Sequence, residues 1–380
     1  MGIDGYRLPK PMWIIWILLL GSAAFWIHHQ SSRGPGEKLE FVVVDWQQAL
    51  PKSSRGHCPE GINKTELEHF GVSRRALQDE IRDVGYAEAT QRLLPPDACQ
   101  DPLAQEDPGF RTLESFLAAP GLDLDGHNSN GDDTTGCGHN DFIDMNLQPG
   151  IDNQYARLVG CSKAYLQGGF LNLQRKPFGK EYSFNQESRV LLIEIQCVHD
   201  RENDKEVQVR VSSGSGGLRL SSAGSPLPHT SFSQDPDQRF RGEFTSAKII
   251  EGKLRTQPMD LRVRLREGIV DDELHWKEAQ LEATIDDSGN LSGIIGYFWD
   301  TQNLFHIMND HDIDGIHTGR LAALSRGYMC AGLFHAINKV ADGHPDPQSG
   351  ACTSISAAHQ FQAIPAFVIE PTEAAPDAPG

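Results

Sequence analysis

The chain has 380 residues, with 34 Lys and Arg against 52 Asp and Glu and a formal net charge of −18. That surplus of acid argues against duplex nucleic acid as a partner, because affinity for a phosphate backbone comes from Lys and Arg neutralising it; it suits divalent cations or plain solubility instead. The 37 Gly and 22 Pro mark many turns, as β-rich folds require, and the length exceeds what one core usually fills, so one large domain or two modest ones are expected.

Residues 12–27, MWIIWILLLGSAAFWI, carry no charge and follow Arg7 and Lys10. An apolar run behind a short basic stretch is the mark of export, with the positive end kept in the cytoplasm. Two readings stand. One is a signal peptide with its core at Trp13–Leu20, cut near Ser22, Ala23 and Ala24. The other is an uncleaved anchor, favoured because Phe25, Trp26 and Ile27 prolong the apolar run past the cut and Trp13, Trp16 and Trp26 suit a membrane interface. Residues 1–28 are therefore read as a single-pass anchor or signal, and 29–38 as a linker.

Beyond it, residues 39–185 read as a loop-rich region with short helices. LEFVVVDW (39–46) has the look of a strand, and Lys64–Leu94 contains helical stretches. Residues 95–160 are crowded with Pro, Gly, Asp and Asn, and a structureless run of that length is usually functional or organised by an ion. Within it, Leu122 to Asp133 spaces acid and amide oxygens on a Gly-rich backbone able to wrap a hard cation, which makes Asp123, Asp125 and Asn128 candidate metal ligands. The competing reading is a solvated loop of Asx turns. In Gly150-Ile151-Asp152-Asn153-Gln154, Asp152 and Asn153 either complete that loop region or cap a helix through Tyr155–Val159, capping being favoured.

From residue 186 to 370 the pattern is β. RVLLIEIQC (189–197), EVQVRVSS (206–213), FTSAKIIEGKL (244–254), MDLRVRLRE (259–267), AQLEATID (279–286) and LSGIIGYF (291–298) are rich in β-branched residues, several alternating with period two. They predict an antiparallel β-sandwich-like domain, mainly β with some α. A helix at 318–341 and a closing strand at 354–370, interrupted by Pro365, complete it, and 371–380 reads as a disordered tail. Before that helix, Asp310-His311-Asp312-Ile313-Asp314-Gly315 has the opening of an EF-hand loop, so Asp310, Asp312 and Asp314 are candidate Ca2+ ligands. Leu321 stands where that loop should supply a bidentate Glu, which predicts weak binding or an acidic turn before the helix.

Seven cysteines occur without a CxxC pair, so in an oxidising compartment disulfides are their default use. Sequence neighbours suggest Cys58–Cys99, Cys137–Cys161 and Cys330–Cys352, with Cys197 free. His127 and His139, or His306, His311 and His317, complete no zinc or iron spacing. GxSxG, P-loop and GxGxxG motifs are missing from the sequence, and no catalytic residue is assigned.

FIDMNLQPGIDNQYARLVGC (142–161), taken with GLDLDG (121–126) and the closing ADGHPDPQSG and ISAAHQFQAIPAFVIE segments, resembles an uncharacterised family of exported, proteobacterial-like proteins. The resemblance implies no activity; it implies a bacterial envelope, here an inner-membrane anchor with the remainder in the periplasm, or a secreted periplasmic form after cleavage. The expected function is a membrane-anchored binding or structural module, stabilised by Ca2+, with a protein or glycan partner and no nucleic acid. The alternative is an envelope hydrolase drawing carboxylates from Asp123, Asp125, Asp310, Asp312 and Asp314.

Overall fold

The computed structural model describes residues 36–51, 55–94, 101–114, 117–129, 137–163, 165, 189–267, 270–309, 312–313, 316–317 and 329–371. The apolar segment 12–27, Cys99, Asp310 and Asp314 lie outside these, as do residues 318–328 of the expected helix. No helix among the described residues is long and apolar enough to cross a membrane.

The fold is mainly β, as the alternating runs predict. Its strands are β1 (Glu37–Gln48), the small hairpin β2 (Phe142–Ile143) and β3 (Pro149–Ile151), β4 (Leu191–Val198), β5 (Asn203–Ser213), β6 (Thr230–Ser233), β7 (Thr245–Ile250) and β8 (Lys253–Thr256). They continue with β9 (Met259–Glu267), β10 (Val270–Ile285), β11 (Leu291–Asp300), the short pair β12 (Asp312–Ile313) and β13 (Ile316–His317), β14 (Gly343–Pro345) and β15 (Cys352–Ile369). Among the described residues, 11 strands form one sheet in the order β1-β4-β5-β7-β8-β10-β11-β15-β14, with β9 on β10 and β6 on β15. The sheet closes on itself. β15 pairs antiparallel with β11 on one side and with β1 on the other, and β1 pairs with β4. Closure gives the strands of that ring a hydrogen-bonded neighbour on each side and leaves few open edges.

Period-two alternation decides which face each side chain takes. Val207, Val209 and Val211 turn inward on β5, as do Leu261 and Val263 on β9 and Leu281 and Ala283 on β10, all into one buried cluster. A stack of rings lies in it: Trp276 on Tyr297 at 4.4 Å, Trp46 on His359 at 4.5 Å and Trp46 on Trp276 at 5.5 Å between centroids. The helices are α1 (Glu66–His69), α2 (Arg74–Val84), α3 (Tyr86–Leu93), α4 (Gln154–Gly160), α5 (Thr301–Asn309) and α6 (Cys330–Val340). Tyr155, Leu158 and Val159 of α4, Leu304 and Ile307 of α5, and Leu333 and Ile337 of α6 join the same cluster, so these three helices cover part of the sheet's interior.

Some local expectations are revised. FTSAKIIEGKL folds as two strands, β7 and β8, because Glu251 and Gly252 take positive φ (52° and 73°) and turn the chain back. Pro365 does not break β15. It sits where the strand changes neighbours on one side, β11 pairing as far as Ala363 and β6 beginning at Ala366, so the ladder is interrupted there in any case. The cysteine pairs also differ from those suggested by sequence proximity. Cys58 joins Cys161, and Cys137 joins Cys352. The expected Cys58–Cys99, Cys137–Cys161 and Cys330–Cys352 pairs are thereby corrected. Cys330 is disulfide-bonded too, while Cys197 is free, as expected. The reason is topological: the chain returns residues 58 and 161, and 137 and 352, to the same places from 103 and 215 positions apart.

Candidate functional site

The GLDLDG loop is seated on the outer face of the sheet. Gly296 of β11 permits the approach, since a Cβ there would stand 3.0 Å from Leu124 Cδ2 and 3.3 Å from Leu122 Cβ. Gln280 of β10 ties the loop down, its Nε2 donating to the Leu124 carbonyl at 2.9 Å. Inside the loop, Asp123 Oδ1 accepts from the Gly126 N–H and Asp125 Oδ1 from the His127 N–H, both at 2.7 Å. Gly126, with φ +77°, completes the turn.

The GIDNQ segment then divides its labour. Asn153 caps α4, its side chain accepting from the Ala156 N–H and donating to the carbonyls of Ala49 and Pro120. Asp152 is left for the loop. Its Oδ2 accepts from the Leu124 N–H at 2.7 Å, and one oxygen each from Asp123, Asp125 and Asp152 lie within 4.8 Å of one another. Two further acids join from distant segments. Asp141, just before β2, accepts from the Ser129 N–H at 2.5 Å and shares a hydrogen bond with Asp152. Asp342, between α6 and β14, takes both the N–H and the Oγ–H of Ser356, at 2.6 and 2.5 Å.

This crowding shows in acidity. Burial first, then the negative charges of Asp125, Asp342 and Asp141, push the Asp152 carboxyl up to about 8 from 3.8, against the lowering effect of the Leu124 N–H. Burial and the nearby Asp125 and Asp123 raise Asp141 to about 6. Burial, with Asp141 adding to it, raises Asp342 to about 7 although the Ser356 bonds pull the other way. Arg157 on α4 is a cation whose field reaches Asp141 and Asp342, and burial lowers its own pKa; among its hydrogen bonds are those it donates to Gln154 Oε1 and to the carbonyls of Asn140 and Leu113. His139 is likewise lowered by burial and bonds the Ala341 carbonyl at 2.9 Å through Nε2. The donor set is all oxygen, the chemistry that a hard cation such as Ca2+ selects. A bound dication would offset both the burial and the mutual repulsion that raise Asp141, Asp152 and Asp342.

Beside the cluster, a groove of about 890 Å³ crosses the outer face of the sheet. Strand register lays two rows along it: Asp45, Gln362, Ser292 and Thr284, then Gln47, Gln360, Ile294 and Glu282. Lys253 and Arg255 of β8 close the far side, paired to Glu282 at 2.9 and 2.6 Å. Asp123 lines both groove and cluster.

Of the residues singled out in the sequence, Asp123 and Asp125 therefore converge, and Asn128 is exposed in the same loop. Asp312 is placed in β12, where its backbone pairs with His317; its side chain lies outside the description, as do Asp310 and Asp314 altogether. Asp141 and Asp342 were not anticipated. Nothing local marks them, since each sits in a short polar stretch far along the chain from the GLDLDG loop. Comparison with protein-family models, with curated proteins and with solved structures finds no match to this chain.

Proposed function

We propose that the chain is a binding module of the bacterial envelope, carried outside the cytoplasm behind its N-terminal apolar segment, and that its acidic cluster takes calcium. The observation that carries the reading is the convergence of Asp123, Asp125 and Asp152, with Asp141 hydrogen-bonded to Asp152. The disulfides, Cys58–Cys161 and Cys137–Cys352 among them, support an oxidising compartment. Calcium in such a site is structural first: it pins the GLDLDG loop to the start of α4 and thereby shapes one end of the groove. Affinity in the range of extracellular modules, about 0.1–1 mM, is expected.

The test is calorimetric titration of calcium and of magnesium into chelator-treated protein. Calcium should bind and raise the Tm by mass action, with magnesium weaker because it demands a tighter octahedral shell, and Asp152→Asn should remove the effect. Wild-type protein indifferent to calcium would end the proposal.

A second reading, a hydrolase working with paired carboxyls, is favoured by one observation: Asp141 and Asp152 share a hydrogen bond and burial pushes both upward, the setting in which one carboxyl keeps its proton beside an ionised neighbour. Turnover of an envelope glycan, abolished by Asp152→Asn, would establish it.

A further inference from the structure

We propose that the groove on the outer face of the sheet binds a neutral glycan; the inference rests on the reading of the chain as a binding module, but not on its calcium. Gln47 and Gln360 stand opposite each other on β1 and β15, and Gln362 faces Asp45 in the next row. A carboxamide offers two donors and a two-lone-pair acceptor in one plane, a pattern that neighbouring sugar hydroxyls satisfy. Gln47 Nε2 already bonds both Asp45 oxygens, at 3.2 and 3.1 Å, which orients the pair. At the other end, Glu282 holds the cationic heads of Lys253 and Arg255 over the groove.

Size agrees with a chain-like ligand. With strands about 4.8 Å apart, the five strands β1, β15, β11, β10 and β8 offer a polar track on the order of 19 Å long. Charge selects against the other classes. A polyanion would meet Asp45, Asp123 and Asp144, while the two basic residues of the lining are already paired to Glu282. Along the two rows a peptide's apolar anchors would meet only Ile294, the apolar lining residues Leu122, Met145 and Ile151 belonging to the GLDLDG loop and the β2–β3 hairpin at one side, whereas the centre of a protein interface is enriched in aromatic and apolar contacts. A neutral, hydroxyl-rich chain has neither difficulty.

The experiment uses the full chain, solubilised in detergent and screened against neutral and anionic oligosaccharides, with binders measured by calorimetry. Binding of neutral oligosaccharides is expected, weakened at least about tenfold in the double variant Gln360→Ala and Gln362→Ala. Both side chains are exposed, so the Tm of that variant should match wild type, which separates lost contacts from lost structure. Absence of neutral binders, a preference for anionic ones, or binding unchanged in the double variant would each overturn the proposal. Calcium titrations run on the same samples keep the two readings apart: failure of calcium to bind, with glycan binding intact, removes the cation and leaves the groove.

Discussion

Asp152 couples charge to stability in a direction opposite to most carboxylates. Its native pKa of about 8, with those of Asp342 and Asp141 at about 7 and about 6, stands above the ordinary 3.8. Native protein therefore holds protons that the unfolded chain has released, and stability in chelator should fall as pH climbs from about 4 to about 8. Calcium must displace those protons, so its affinity should rise over the upper part of the same window. Thermal melts at a series of pH values, with chelator and with calcium, check both slopes; Asp152→Asn should flatten the first. His359 works the other way. Burial depresses it to about 3 from 6.5, and its Nε2 has no hydrogen-bond partner among the described residues while Nδ1 meets the Tyr297 hydroxyl at 2.9 Å. The unfolded chain gains a proton below about 6.5 that native His359 refuses, so this residue costs stability as pH falls toward 3. His359→Phe keeps the ring in the stack and loses the Tyr297 bond. Its deficit in Tm relative to wild type should shrink as pH is lowered from 7 to 4.

The loops and strands behave as coupled pieces. The GLDLDG loop lies on β11 because Gly296 has no side chain, with Leu124 Cδ2 only 3.0 Å from where a Cβ would stand. Gly296→Val should lift the loop, cost roughly 1–3 kcal/mol by overpacking, and weaken calcium binding without altering any carboxylate. Denaturant unfolding and calcium titration of the same variant measure the two effects. The cross-links act over longer distances. Cys58–Cys161 closes a loop with a sequence separation of 103, for which chain entropy predicts about 4.7 kcal/mol, with measured values commonly 2–5 kcal/mol. Replacing both cysteines by Ser should lower stability within that range. Mass spectrometry of unreduced peptides should return Cys58–Cys161 and Cys137–Cys352.

As a whole the chain joins an acidic, disulfide-linked sheet to an apolar N-terminal segment. If that segment is an anchor, full-length protein should sediment with membranes, resist high salt and carbonate, and release into detergent. A soluble form beginning near Phe25 would identify a cleaved signal instead. The folded part should behave cooperatively, because the ring joins β1 near the start of the described chain to β15 near its end. Removing either strand would leave its neighbours with unpaired edges and open the cluster that runs from Phe41 to Ala363.

The strands were legible because inward and outward residues alternate, and alternation is a local property that survives in the sequence. Val207, Val209 and Val211 announce a buried face whichever strands lie beside it. The acidic loop was legible in part for the same reason: Asp123 and Asp125 are near neighbours on a turn that Gly126 makes possible. Pairing was not. Closure of the ring through β1 and β15, the joining of Cys137 to Cys352, and the arrival of Asp141, Asp152 and Asp342 beside the GLDLDG loop all bring together residues widely separated along the chain. No periodicity or spacing encodes those meetings. They follow from the register of an antiparallel sheet, in which a shift of a single residue would reverse every face, and the raised pKa values of the cluster exist only once that register has been formed.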